Sequence, residues 1–111
     1  MRSEIRFVDI KLKESLQSLK FSKTEDRKLY EWISRALKDI EENAFCGKQI
    51  PKRLFPREYI QKYKVDNLWK YDLPNGWRLI YTIAKEGIFV LSIILEWFNH
   101  KDYNRRFNYL F

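Results

Sequence analysis

Apolar residues recur at helical spacing in the first half of the chain and alternate along the second half. Leu12, Leu16 and Leu19 mark one helical stripe over residues 10–20, and Leu29, Trp32, Ile33, Ala36, Leu37, Ile40 and Ala44 mark a longer one. Glu31, Arg35, Lys38, Asp39, Glu41 and Glu42 fill the outer side of that second helix, which runs to about residue 44. Ser22-Lys23-Thr24-Glu25 reads as a capping box at its start, because a cap Ser and a Glu three residues on satisfy each other's backbone donors. Gly47 is the expected end of the helix pair. Ahead of the helices, Ile5, Phe7 and Val8 suggest a short strand. Pro51 and Pro56 break residues 48–64 into a connection, with a short helix over 56–63 that carries Pro in its first turn. Strands follow near 67–73, 77–85 and 88–97, with Glu86-Gly87 as a turn, and then a polar, aromatic tail from Asn99. The order predicts one α+β domain over 1–111: an N-terminal strand and two helices packed on one face of an antiparallel sheet with a C-terminal three-strand meander.

The turn at Pro74-Asn75-Gly76 fixes the register of that meander. Pro followed by Gly at a left-handed position is the pattern of a three-residue hairpin loop built on a type I turn. Leu73 then faces Trp77, Asp72 faces Arg78 and Lys70 faces Ile80. Since side chains alternate, Lys70, Asp72, Arg78 and Thr82 share one face, and Leu79 and Tyr81 share the other with Trp69 or Tyr71. Three charged groups on one sheet face require water, one another, or a charged ligand.

Charge sharpens this. The net charge is +7, but residues 1–46 carry ten Lys/Arg against nine Asp/Glu, whereas residues 47–111 carry twelve against six. Lys48, Lys52, Arg53, Arg57, Lys62 and Lys64 stand against Glu58 alone within 47–64. A balanced half beside a basic half suggests a face for a polyanion, RNA or DNA phosphates first, with an acidic protein as the other option. The single cysteine, Cys46, forms no internal disulfide and is expected as a small buried apolar residue. The apolar run from Ile88 to Leu95 is far too short to cross a bilayer, and residues 1–6 lack the apolar core of a signal peptide. A cytoplasmic protein without membrane association is expected.

The common enzyme signatures are missing. One His and one Cys make no zinc set of the usual types, and three scattered glycines make no phosphate loop. No metal or cofactor is expected. Chemistry on a substrate that brings its own nucleophile needs neither, and RNA is such a substrate through its 2′-hydroxyl. The protein would supply cations for the phosphate, a base and an acid. Lys70 and Arg78 are the paired cations, with a cross-strand ion network to Asp72 as the alternative use. His100 carries an imidazole, a group that can serve as acid or base, and is otherwise a surface residue; Tyr103 lies three residues on, at helical spacing. Lys48, Lys52, Arg53, Arg57, Lys62 and Lys64 are generic phosphate contacts or solvated charge.

Leu68-Trp69-Lys70-Tyr71-Asp72-Leu73, Gly76-Trp77-Arg78-Leu79-Ile80-Tyr81 and His100-Lys101-Asp102-Tyr103, in a strand–helix–helix–three-strand order, resemble the RelE/ParE superfamily of toxin–antitoxin toxins over nearly the whole length. The resemblance implies a RelE-like fold. It also implies a ribosome-dependent, metal-independent mRNA endoribonuclease that inhibits translation and is held inactive by a short acidic antitoxin. Lys70 and Arg78 would then grip the phosphate, and His100 and Tyr103 would be the acid/base or base-stacking pair. Asp72 stands where RelE itself has a second lysine, so its role stays open. Two other activities occur with this resemblance: inhibition of DNA gyrase in the ParE manner, and RNA or antitoxin binding without cleavage.

Overall fold

A computed structural model describes residues 1–107. The expected domain extends over 108–111, which lie outside the described residues. Strand β1 (Glu4–Phe7) leads into α1 (Ile10–Lys20) and α2 (Thr24–Glu42). A two-residue strand β2 (Lys48–Gln49) and helix α3 (Arg57–Tyr63) occupy the connection. The meander is β3 (Trp69–Asp72), β4 (Arg78–Glu86) and β5 (Phe89–Phe98), and α4 (His100–Phe107) follows it. Among the described residues this is an α+β fold with four helices and one five-stranded open sheet, ordered β1-β5-β4-β3-β2. The sheet is mixed, and not antiparallel throughout as expected, because α1 and α2 carry the chain back so that β1 runs parallel to β5 while the other neighbours are antiparallel.

The two sheet faces bury different clusters. Leu79, Tyr81, Leu73 and Ile94 pack against Leu16 of α1 and Leu29, Ile33, Ala36 and Ile40 of α2, with Trp69 and Tyr71 alongside. On the opposite face Leu68, Ile80 and Leu95 pack with Ile50, Tyr59 of α3, and Tyr103 and Phe107 of α4. Helices therefore cover both faces, and not one as the sequence pattern suggested. The missed cover is α4, expected as a tail. Asn99 starts it by accepting the Asp102 amide on its side chain at 2.8 Å, while its carbonyl accepts the Tyr103 amide at 2.9 Å. Tyr103 and Phe107, one turn apart, then stack at 4.7 Å on the inner side.

The expected capping box is not formed. Helix α2 begins at Thr24 with Lys23 at the cap and no side-chain bond there, because the Ser22 hydroxyl donates back to the Ser18 carbonyl at 2.8 Å. Glu25 and Asp26 place negative charge in the first turn instead. At the other end Asn43, not Gly47, closes the helix, and its side chain accepts the Phe45 amide at 3.1 Å. Gly47 has a different task. A Cβ there would lie 2.6 Å from the Lys70 carbonyl oxygen and 2.7 Å from the Tyr81 hydroxyl, so only glycine lets β2 approach β3. Cys46 is exposed, contrary to its expected burial, because it sits on the short turn Ala44–Cys46 beyond α2.

The hairpin register is as the turn chemistry predicts: Asp72 faces Arg78, Tyr71 faces Leu79 and Lys70 faces Ile80. The Leu73 amide donates to the Trp77 carbonyl at 2.8 Å across the loop. The turn itself differs from the expected type I form, since both Asn75 (φ 58°) and Gly76 (φ 78°) are left-handed; Asn is the residue besides Gly that tolerates this. Between Ile80 and Tyr81 the partner on β5 jumps from Glu96 to Ile94, a bulge that leaves Leu95 unpaired. Leu95 and Glu96 consequently both lie on the α3/α4 face.

Candidate functional site

Lys70, Asp72 and Arg78 lie on the sheet face away from α1 and α2, at the end of the sheet nearest the hairpin loop. Strand β2 adds a fourth charge, because Lys48 is the register partner of Lys70. Asp72 joins two of the cations: its Oδ1 lies 3.0 Å from Arg78 Nε and its Oδ2 lies 3.2 Å from Lys48 Nζ. Of the cross-strand ion network weighed from the sequence, the Arg78–Asp72 pair is present, but Lys48 and not Lys70 is the second cation on Asp72. The Arg78 side chain is only 20% exposed, and it also donates to the Trp77 carbonyl at 3.2 Å. Lys70 is placed differently: its Nζ stands 5.6 Å from the centre of the Tyr103 ring. Arg78 Cζ lies 5.5 Å from the same centre. One buried aromatic ring thus carries two cations, an arrangement worth roughly 0.5–2 kcal/mol per contact, which holds both heads in place before any ligand arrives.

Helix α4 supplies the other two predicted residues. His100 is exposed, its Nε2 3.2 Å from the Asn104 amide nitrogen. It stands against the hairpin loop, where a Cβ on Gly76 would come 3.0 Å from the His100 Cβ. Tyr103 is 2% exposed and lies beneath Lys70 and Arg78. The structure therefore gathers Lys48, Lys70, Asp72, Arg78, His100 and Tyr103 at one end of the sheet, but with the imidazole outside and the phenol inside.

The remaining predicted phosphate contacts lie elsewhere. Lys52 is on the exposed turn before α3, and Lys62 sits over the Tyr63 ring at 5.3 Å. Lys64 closes α3 in a left-handed conformation with φ 52°. Arg53 and Arg57 share a cleft with Arg105 and Arg106 of α4. Arg105 and Arg106 were missed in the sequence because their segment read as a tail; the cap residue Asn99, followed by Tyr103 and Phe107 at helical spacing, was the available signal. Behind that cleft the Tyr59 hydroxyl donates to Glu96 at 2.5 Å, and Arg106 pairs with both Glu96, at 3.3 Å, and Glu58. Burial raises the Glu96 carboxyl above the usual carboxylate range, opposed by the Tyr59 bond and by the charge of Lys62. Burial, and then the neighbouring Glu96 charge, likewise push the Tyr59 phenol upward, so it stays protonated as a donor.

No family model, curated protein or solved structure matches the chain. Among the described residues no three His, Cys, Asp or Glu side chains gather as a metal-ligand set, and no helix is long and apolar enough to cross a membrane.

Proposed function

We propose that this chain is a RelE-like toxin that cleaves mRNA on the ribosome and is restrained by a short acidic antitoxin. The observation that carries this reading is the preset cation pair: Lys70 and Arg78 over one buried ring, with Lys48 beside them and Asp72 as the counter-charge. A phosphate entering this cluster exchanges with Asp72 for Arg78 and meets cations that need no rearrangement. The 2′-oxygen of the preceding ribose attacks phosphorus, and the bond to the 5′-oxygen breaks. The products are a 2′,3′-cyclic phosphate and a 5′-hydroxyl. One proton leaves the 2′-hydroxyl and one reaches the 5′-oxygen; His100, exposed beside the hairpin loop, is assigned to this transfer. Tyr103 serves from below, by fixing Lys70 and Arg78.

A second reading is favoured by Asp72, which already engages Arg78 and Lys48, and by the burial of Tyr103. It is a RelE-fold protein that binds RNA or antitoxin without cleaving. Primer extension on mRNA from translating ribosomes separates the two. Arg78→Ala is expected to lower cleavage by about 10²–10³, the usual loss for a preorganised charge at the reacting centre. His100→Ala lowers turnover with ribosome binding retained. Full activity in both variants removes the assignment. Absence of cleavage by the wild type moves the protein to the second reading, or, if gyrase supercoiling is inhibited, to a ParE-like one.

A further inference from the structure

Away from Lys70 and Arg78, a cleft of about 490 Å³ opens between the connection into α3 and the last turns of α4. Four arginines line it: Arg53, Arg57, Arg105 and Arg106. Phe55 and Phe107 contribute apolar wall, and an adjoining opening shares Arg105 and Arg106 and reaches Phe98. Carboxylates reach only two of these four charges among the described residues. Arg105 has only a long contact to exposed Asp102 at 3.7 Å, and Arg53 and Arg57 have no carboxylate within ion-pairing distance among the described residues. Arg106 is held from several sides. Its guanidinium lies 5.6 Å from the Phe98 ring and 6.0 Å from the Tyr59 ring, with Glu96 and Glu58 on its nitrogens. Glu58, on α3 and exposed, thus places an anion on the most constrained guanidinium of the cleft.

Two features give the chemistry of the ligand. Guanidinium forks match phosphate oxygens, and aromatic walls beside them accept unpaired bases, which is the combination used for single-stranded nucleic acid. The cleft is also continuous with the first site through two elements. Phe98 is the register partner of Arg78, and Arg106 follows Tyr103 by three residues, a rise of roughly 4.5 Å on α4 at about 1.5 Å per residue. We infer that the arginine cleft is a second phosphate-binding subsite, which holds the single-stranded RNA leading away from Arg78, and that Glu58 occupies Arg106 until an RNA phosphate displaces it. The inference rests on the RNA reading above and extends it to residues outside the first site.

Binding of a fluorescent 2′-O-methyl oligoribonucleotide, which offers no 2′-hydroxyl for attack, tests it by anisotropy across a salt series. The triple variant Arg53→Gln, Arg57→Gln, Arg105→Gln changes only exposed side chains. It should weaken binding and lower the slope of log K against log salt by about two, since each single-strand phosphate contact carries roughly 0.7. Glu58→Gln, which removes the competing anion, should tighten binding severalfold at low salt. The cleft is refuted if the triple variant keeps the wild-type affinity and slope, or if Glu58→Gln weakens binding. It is equally refuted if the wild type ignores the oligonucleotide and binds polyglutamate, which would make the cleft a docking place for an acidic protein. Loss of binding in the triple variant of a protein that never cleaves mRNA upholds the cleft and overturns the nuclease reading alone.

Discussion

Removing one oxygen atom from the core should cost a large share of the stability. The Tyr81 side chain is fully buried, and its hydroxyl joins two backbone groups of the segment between α2 and β2. It donates to the Ala44 carbonyl at 2.6 Å and accepts the Gly47 amide at 3.1 Å. Tyr81→Phe keeps the ring and its stacking on Trp69 at 6.3 Å, and opens no cavity larger than the oxygen. What changes is that a buried carbonyl and a half-buried N–H are left without a partner. Each such group costs about 1–3 kcal/mol, and the partial exposure of Gly47 sets its share at the low end, so the sum is about 2–4 kcal/mol. Against a total of ~5–15 kcal/mol for a domain of this class, that is a visible fraction. It corresponds to a fall in Tm of roughly 8–32 °C at about 4–8 °C per kcal/mol. Urea unfolding followed by tryptophan fluorescence measures it, with an unchanged m-value showing that only stability moved. A loss below about 0.5 kcal/mol, the range of ordinary surface changes, would refute the account of how β2 is anchored.

The same junction predicts the effect of Gly47→Ala. The new methyl meets the Lys70 carbonyl and the Tyr81 hydroxyl, so β2 must leave β3, at a cost of about 1–3 kcal/mol for overpacking and with faster hydrogen exchange in β2; unchanged exchange at Lys48 and Gln49 would contradict it. A pH prediction comes from Tyr71, whose phenol is pushed up to about 12 by burial and by its bond to Asp39 at 2.5 Å. Its folded value exceeds the ordinary one of about 10, so this stabilisation is full below pH ~10 and is lost as pH rises towards 12. Denaturation midpoints between pH 9 and 12 should fall less steeply in Tyr71→Phe than in the wild type, and equal slopes would remove the claim.

The parts of the fold that local chemistry specifies could be read from the chain. Pro74-Asn75-Gly76 specified a loop length, the loop length specified register, and register put Lys70, Asp72 and Arg78 on one face. Helix α1 was legible from its leucines at 12, 16 and 19. What escaped depended on distant partners. Gly47 reads as a helix stop until the Lys70 carbonyl is seen above it. Ser22 reads as a cap until Ser18 takes its hydroxyl. The segment after Asn99 is polar over most of its length, and only the sheet face it covers shows that Tyr103 and Phe107 make it a helix of the core. The arginine cleft unites residues near 55 with residues near 105, a pairing that no local pattern announces.

The bulge on β5 sets the phase in which the end of that strand is read. Residues 92 and 94 address α1 and α2, residues 93 and 95 address α3 and α4, and the unpaired Leu95 then shifts the alternation by one. Glu96 and Phe98 reach the arginine side only because of this shift, and Trp97 turns to the helix pair. Were Leu95 to enter the ladder opposite Ile80, composition, charge and every candidate residue would be unchanged, yet Glu96 and Phe98 would turn away from Arg106 and Asn99, the start of α4, would swing to the wrong side of the sheet. The assembly of both charged regions hangs on a single inserted residue that carries no charge and performs no chemistry.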